Sequence, residues 1–201
     1  MTDTRERLLD GFAEQLLERG YRGTSLEALA KAVDIRRPSL YHHFPGGKEQ
    51  LYTEVALRMI EEDADRLAAA LAVSDQLRPR LQALALLHAD DPRKQALDQR
   101  IYDATRYVSD ETRTLVSTRY VDGLLVPVNR MMAAAVKAGE LRDLDPSFLT
   151  STFFGLAGAV PGIPDDVGMP PSKRGPRRQT AEQAATAVVD IFLKGAGMLD
   201  G

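Results

Sequence analysis

Apolar residues recur along this chain at spacings of three and four, and no stretch alternates with the period of two that marks a strand. The pattern predicts an all-α fold of about nine helices. From Arg5 to Arg19, the residues Leu8, Leu9, Phe12, Ala13, Leu16 and Leu17 share one face, and Gly20 ends the helix. Thr24-Ser25-Leu26-Glu27 reads as a capping box, with Thr24 as the cap and Glu27 reaching back, ahead of a short helix carrying Leu26, Leu29 and Ala30. Asp34 to Arg37 interrupts the pattern. Pro38 suits the first turn of a second short helix bearing Leu40, Tyr41 and Phe44, and Pro45-Gly46-Gly47 breaks it. A long helix follows over Lys48–Leu71, with Leu51, Val55, Met59, Ile60, Ala64, Leu67 and Leu71 inward.

Five further helices are predicted near Leu77–His88, Pro92–Tyr107, Asp110–Lys137, Pro146–Val160 and Ala181–Lys194. Asp91, Ser109, Asp145 and Thr180 stand where helix starts need a side-chain acceptor, and Gln183 completes a capping box with Thr180. Gly139 is placed to end the Asp110–Lys137 helix. Residues 161–179 are rich in Pro and Gly and carry Lys173, Arg174, Arg177 and Arg178; they read as a long, mobile loop.

Two short helices across a tight turn, the second of them basic, have the layout that sets a recognition helix in a DNA major groove. Charge supports this. Between Arg19 and Lys48 there are six cations (Arg19, Arg22, Lys31, Arg36, Arg37, Lys48) against two acids (Glu27, Asp34), although the 201-residue chain has a net charge of −3. A local basic patch on an acidic protein fits specific contact with phosphates and argues against indiscriminate coating of nucleic acid.

The stretch Gly20-Tyr21-Arg22-Gly23-Thr24-Ser25-Leu26, then Leu29-Ala30, Leu40-Tyr41-His42-His43-Phe44 and Lys48-Glu49-Gln50-Leu51, resembles the DNA-binding domain of TetR-family regulators. It covers about the first fifty residues; the remainder resembles the family in helix count and order. The resemblance implies a DNA-binding domain over 1–47, then a ligand-binding and dimerisation domain over 48–201 joined to it by the helix starting near Lys48. It also implies DNA contacts from Thr24, Ser25, Arg36, Arg37, Pro38, Ser39, Tyr41, His42 and Lys48. Thr24 and the helix terminus it caps would meet phosphate, and Arg36 to Ser39 would face base edges. Tyr41, His42 and Lys48 would fix the register on the backbone. Tyr41 has an alternative use in packing. Two departures from the family are Asp34, where the turn usually has Gly, and Arg36, where Ser or Thr usually caps the recognition helix.

The same resemblance implies a small-molecule pocket and a homodimer. Pocket candidates are Met59, Leu84, Leu87, His88, Tyr102, Arg106, Tyr107, Tyr120, Leu124 and Phe153, mostly apolar with a few polar groups to orient a ligand. Ordinary core and surface positions are the alternative for each. Interface candidates are Phe148, Thr152, Gly155, Leu156 and Ala159, with Ala184, Ala185, Val188 and Phe192, which would build a four-helix bundle about a twofold axis. Packing of both stripes inside one subunit is the alternative. The function these features imply is a cytoplasmic repressor, released from a palindromic operator when an unknown small molecule binds. The rival is a ligand-binding or interaction protein on this scaffold that does not bind DNA.

Catalysis is not expected. The chain has no cysteine and three histidines, no glycine-rich phosphate loop and no HExxH run. No metal or cofactor is expected either, since His42 and His43, as neighbours, point to different faces of a helix without acidic company. No apolar run approaches the roughly 20 residues of a membrane span.

Overall fold

The computed structural model describes residues 3–89, 92–161 and 180–197. They form α1 (Thr4–Gly23), α2 (Leu26–Ala32), α3 (Arg37–His43), α4 (Gly47–Leu71), α5 (Leu77–Leu86), α6 (Pro92–Ala104), α7 (Asp110–Tyr120), α8 (Val126–Lys137), α9 (Pro146–Ala157) and α10 (Ala181–Ala196). Among the described residues the only β pairing is one isolated bridge, Leu141 to Gly197. None of the described helices is long and apolar enough to cross a membrane. The predicted loop at 161–179, with its four cations, lies from residue 162 onward outside the described residues, and so does the expected cap Asp91.

Helix boundaries follow local chemistry. Gly20 takes φ +65° and breaks the run of α1, a conformation that glycine adopts without a Cβ clash. Ser109, Asp145 and Thr180 each accept a backbone N–H three residues on, and Thr180 with Gln183 forms the full capping box. The predicted Asp110–Lys137 helix is not uniform. Val121–Leu125 widens into a π turn between α7 and α8, just ahead of Pro127. Proline has no N–H to donate to the carbonyl four residues back, so the ladder slips there instead of running through.

Packing divides the chain into two compact units. One compact unit comprises residues 1–63 and 91–123, the other 64–90 and 124–201. In the first, Leu8, Phe12 and Leu16 of α1 share a core with Leu29, Leu40, Phe44, Leu51, Tyr52, Val55, Ile101, Ala104 and Val116. The apolar face of α6 thus belongs with the helix-turn-helix and the first turns of α4. In the second unit, α5, α8, α9 and α10 bury Leu81, Leu84, Val128, Met132, Leu149, Phe153, Val189 and Phe192. Each such large side chain contributes roughly 1.5–3 kcal/mol on leaving water.

Candidate nucleic-acid interface

The cap of α2 is Ser25, not Thr24. Ser25 Oγ accepts the amide of Ala28 at 3.2 Å, while Thr24 is buried and its hydroxyl donates to Tyr21 O at 2.8 Å. The Thr24 amide that Glu27 was expected to bind donates instead to Tyr21 O of α1 at 3.3 Å, and the Ser25 amide donates to Gln15 Oε1 of α1 at 2.8 Å. Sequence spacing could find a helix start here, but α1 already occupied the donor that a capping box would use. Ser25 is exposed at the terminus where free amides can meet phosphate, and Thr24 braces the turn behind it.

The α2–α3 turn is a Schellman motif built on Asp34. Asp34 adopts φ +59°, its amide reaches Lys31 O at 3.2 Å, and the amide of Ile35 reaches Ala30 O at 3.0 Å. Aspartate takes the left-handed conformation more readily than most residues, which is why the turn forms without the usual glycine. From α1, Arg7 donates to Val33 O at 3.0 Å and ties the turn down. Beyond it Arg36 is the cap residue of α3 but supplies no side-chain bond, and Pro38 sits in the first turn.

Helix α3 sorts its residues cleanly. Leu40 and the following Phe44 are fully buried, whereas Arg36, Arg37, Pro38, Ser39, Tyr41 and His42 are all exposed. The Arg37 guanidinium lies 5.8 Å from the Tyr41 ring centroid, and a hydrogen bond from it to Tyr41 holds its pKa above the ordinary arginine value. Both side chains stand on the exposed face of α3. A planar guanidinium is what bidentate reading of guanine requires.

Lys48 has partners within the chain. Its ammonium donates to Thr24 O at 3.0 Å and sits 4.7 Å from the Tyr21 ring centroid, and partial burial lowers its pKa. It fastens α4 to the segment before α2. Next to it, Glu49 accepts from Ser109, a bond that sequence spacing does not reveal because the two residues are far apart in the chain. Tyr52 donates to Ile101 O at 3.0 Å, and burial raises its pKa to about 12.

Residues 8–55 match the family described as bacterial regulatory proteins, tetR family. The N-terminal domain belongs to the TetR family. HTH-type transcriptional regulator LmrA of Bacillus subtilis (strain 168) is 39% identical over 66 residues, 33% of this chain and 35% of that protein. The matched region therefore spans about a third of that curated relative. Over nearly the whole chain the fold is that of solved TetR-type structures. KstR2, a ketosteroid transcriptional regulator of Mycobacterium tuberculosis, superposes with TM-score 0.69 at 21% identity, covering 99% of this chain and 97% of its own. AibR, crystallised with isovaleryl coenzyme A and operator DNA, gives TM-score 0.67 at 23% identity, covering 94% and 97%.

In this TetR-fold chain the pocket candidates are distributed over both units. Met59, Tyr102, Arg106, Tyr107 and Tyr120 fall in the first unit, and Leu84, Leu87, His88, Leu124 and Phe153 in the second. Tyr102 is 70% exposed, and Tyr107 stacks on Tyr21 at 6.3 Å with the rings parallel, so both belong to the outer face of the first unit. Leu84 and Phe153 are fully buried core, with Leu87 and Leu124 packed against them. His88 is half-buried against Phe154, and burial depresses its pKa. Missed from sequence were two buried oxygens, Asn129 Oδ1 and Thr150 Oγ1, that have no hydrogen-bond partner among the described residues.

The interface candidates are corrected in part. Ala185, Val188 and Phe192 are buried within the subunit, where they pack on α5 and α9, and so they face no partner. Phe148, Thr152, Gly155 and Ala159 stand exposed on α9 and the turn that follows it, with Leu156 and Ala184 half-covered. Ile191, on the outer side of α10, is 58% exposed, as is Phe148. Helical period alone could not say which of the two apolar sides of α10 would turn inward.

Proposed function

We propose that this chain is a sequence-specific transcriptional regulator: a cytoplasmic homodimeric repressor that leaves a palindromic operator when a small molecule binds its second unit. The observation that carries the reading is the exposed face of α3. Its cations and hydroxyls stand on a helix anchored by Leu40 and Phe44, inside a domain of the TetR family. Arg36 and Arg37 would read base edges, Ser39, Tyr41 and His42 would hold phosphates, and the Ser25 terminus would add backbone amides. The exposed Phe148–Thr152–Gly155–Ala159 side of α9 with Ile191 of α10 would pair with a second copy. That pairing would present two recognition helices roughly 34 Å apart, one turn of duplex.

For the effector, the second unit offers an apolar interior with few polar groups, the composition of small-molecule sites. Thr150 and Asn129, each with a buried oxygen lacking a partner among the described residues, are the groups a ligand would satisfy, with His88 as a third. Differential affinity of the effector for DNA-bound and free conformations would drive release.

Selection of bound duplexes from a random DNA library, with purified protein near physiological salt, tests the reading. Recovery of a palindrome with half-sites about one helical turn apart is expected. A folded, ligand-free protein that enriches nothing would overturn it and favour a scaffold that binds ligand without DNA.

A further inference from the structure

Positive charge in the first unit does not end with the helix-turn-helix. Arg22, three residues before the Ser25 cap, holds its guanidinium 5.8 Å from the centroid of Tyr107. Arg106, just after α6, stands 6.0 Å from the same ring. Tyr107 in turn stacks parallel on Tyr21, the ring that carries the Lys48 ammonium at 4.7 Å. One aromatic stack thus joins the cations flanking α2 and α4 to a cation some eighty residues later in sequence. Arg22 makes no ion pair among the described residues, and the Arg106 side chain is 61% exposed.

We propose that Arg106 and Arg22 form a second DNA contact surface, outside the helix-turn-helix, which takes the phosphate backbone of duplex flanking the operator half-site. This rests on the reading of the α3 face as a DNA reader and extends it from Arg22, inside the family match over residues 8–55, to Arg106, which that match does not include. The chemistry suits backbone and not bases. The two guanidiniums are gathered around one tyrosine ring and are not set as a fork on a helix entering a groove, so they offer charge and donors without a sequence-reading geometry. Arg22, Arg106 and Tyr107 are all exposed, so a phosphate can reach both guanidiniums. Asp103 opposes them: it pairs with Arg106 at 3.3 Å and also accepts from Gln99, so it tempers the charge that a phosphate would meet.

The test uses the full chain and the selected palindrome in two lengths, trimmed to the palindrome or extended by one helical turn of arbitrary duplex on each side. Arg106→Gln is expected to weaken binding to the extended duplex several-fold. It should also lower the salt slope there by about 0.9 for each phosphate no longer neutralised, about 1.8 for a dimer, and leave the trimmed duplex unaffected. Asp103→Asn should act in the opposite direction, tightening the extended duplex alone. Both side chains lie on the surface, and melting curves will show that the variants fold. An unchanged salt slope with Arg106→Gln, or an equal loss on both lengths, would overturn the proposal while leaving the regulator intact. If the wild-type chain binds neither length, the DNA-binding reading itself falls and takes this surface with it.

Discussion

Glu49, at the start of α4, accepts both the amide of Ser109 at 2.9 Å and its hydroxyl at 2.5 Å. Ser109 is also the cap of α7, where its hydroxyl accepts the amide of Thr112 at 3.2 Å. One serine therefore starts a helix and fastens that start to the helix that follows the recognition element. The Tyr21–Tyr107 stack involves a residue two positions before Ser109 and reinforces the same junction.

Glu49→Ala should loosen this junction and lower stability by about 1 kcal/mol, below the usual range for a bond to a charged group because solvent screens the carboxylate. The Ser109 hydroxyl, then its amide and the Thr112 hydroxyl, hold the Glu49 carboxyl below its ordinary value. A carboxyl with a depressed folded pKa gives stability that is present above the unfolded value, near about 4.3, and is lost as pH falls through the folded one. Melts between neutral and acid pH should therefore show a shallower acid loss for the variant than for the wild type. Parallel curves would mean that the bond contributes nothing.

Lys48→Met keeps most of the apolar stem but loses the ammonium that bonds Thr24 O and faces Tyr21. A drop of about 1 kcal/mol in folding stability is expected, together with weaker operator binding and an unchanged salt slope. A true phosphate contact would give the reverse signature, with stability kept and the slope reduced by about 0.9 per phosphate, about 1.8 for a dimer. Urea unfolding and salt-dependent binding on the same preparation decide between them.

Asp34 provides a test of the turn. At φ +59° a β-branched residue is strained by its Cβ, so Asp34→Val should destabilise the protein by about 1–2 kcal/mol. Asp34→Gly should be neutral or slightly stabilising, since glycine reaches that conformation freely. Equal effects of the two changes in denaturant titrations would show that the backbone does not hold this conformation.

Phe148→Asp combined with Ile191→Asp should leave each subunit folded and shift the protein to monomer in sedimentation, because both side chains are exposed on the single chain. Phe192→Ala, by contrast, should act on folding itself and cost about 3–5 kcal/mol, since that ring packs edge-on against Phe153 at 5.3 Å within the subunit. If the double variant sediments as the wild type does, the dimer face lies elsewhere.

Local rules were legible in the sequence wherever the deciding atoms are close in the chain. The breaks at Gly20 and Gly139, the caps at Ser109, Asp145 and Thr180, and the Thr180–Gln183 box depend on residues within one helical turn of each other. The inward face of the recognition helix was legible as well, because Leu40 and Phe44 are the large apolar residues on one side of a short helix and its cap.

Tertiary structure decided whatever depended on competition between distant groups. Gln15 took the Ser25 amide at the start of α2, and Thr24 O accepts from the Lys48 ammonium of α4. Packing turned Ala185, Val188 and Phe192 inward and left Ile191 outside, although α10 is apolar on both sides. Sequence alone determined most of the helices and the exposed face of α3, because periodicity and capping act over a turn or two. It could not determine which long-range partner claims a given donor or apolar stripe, because that choice exists only once separate helices have packed together.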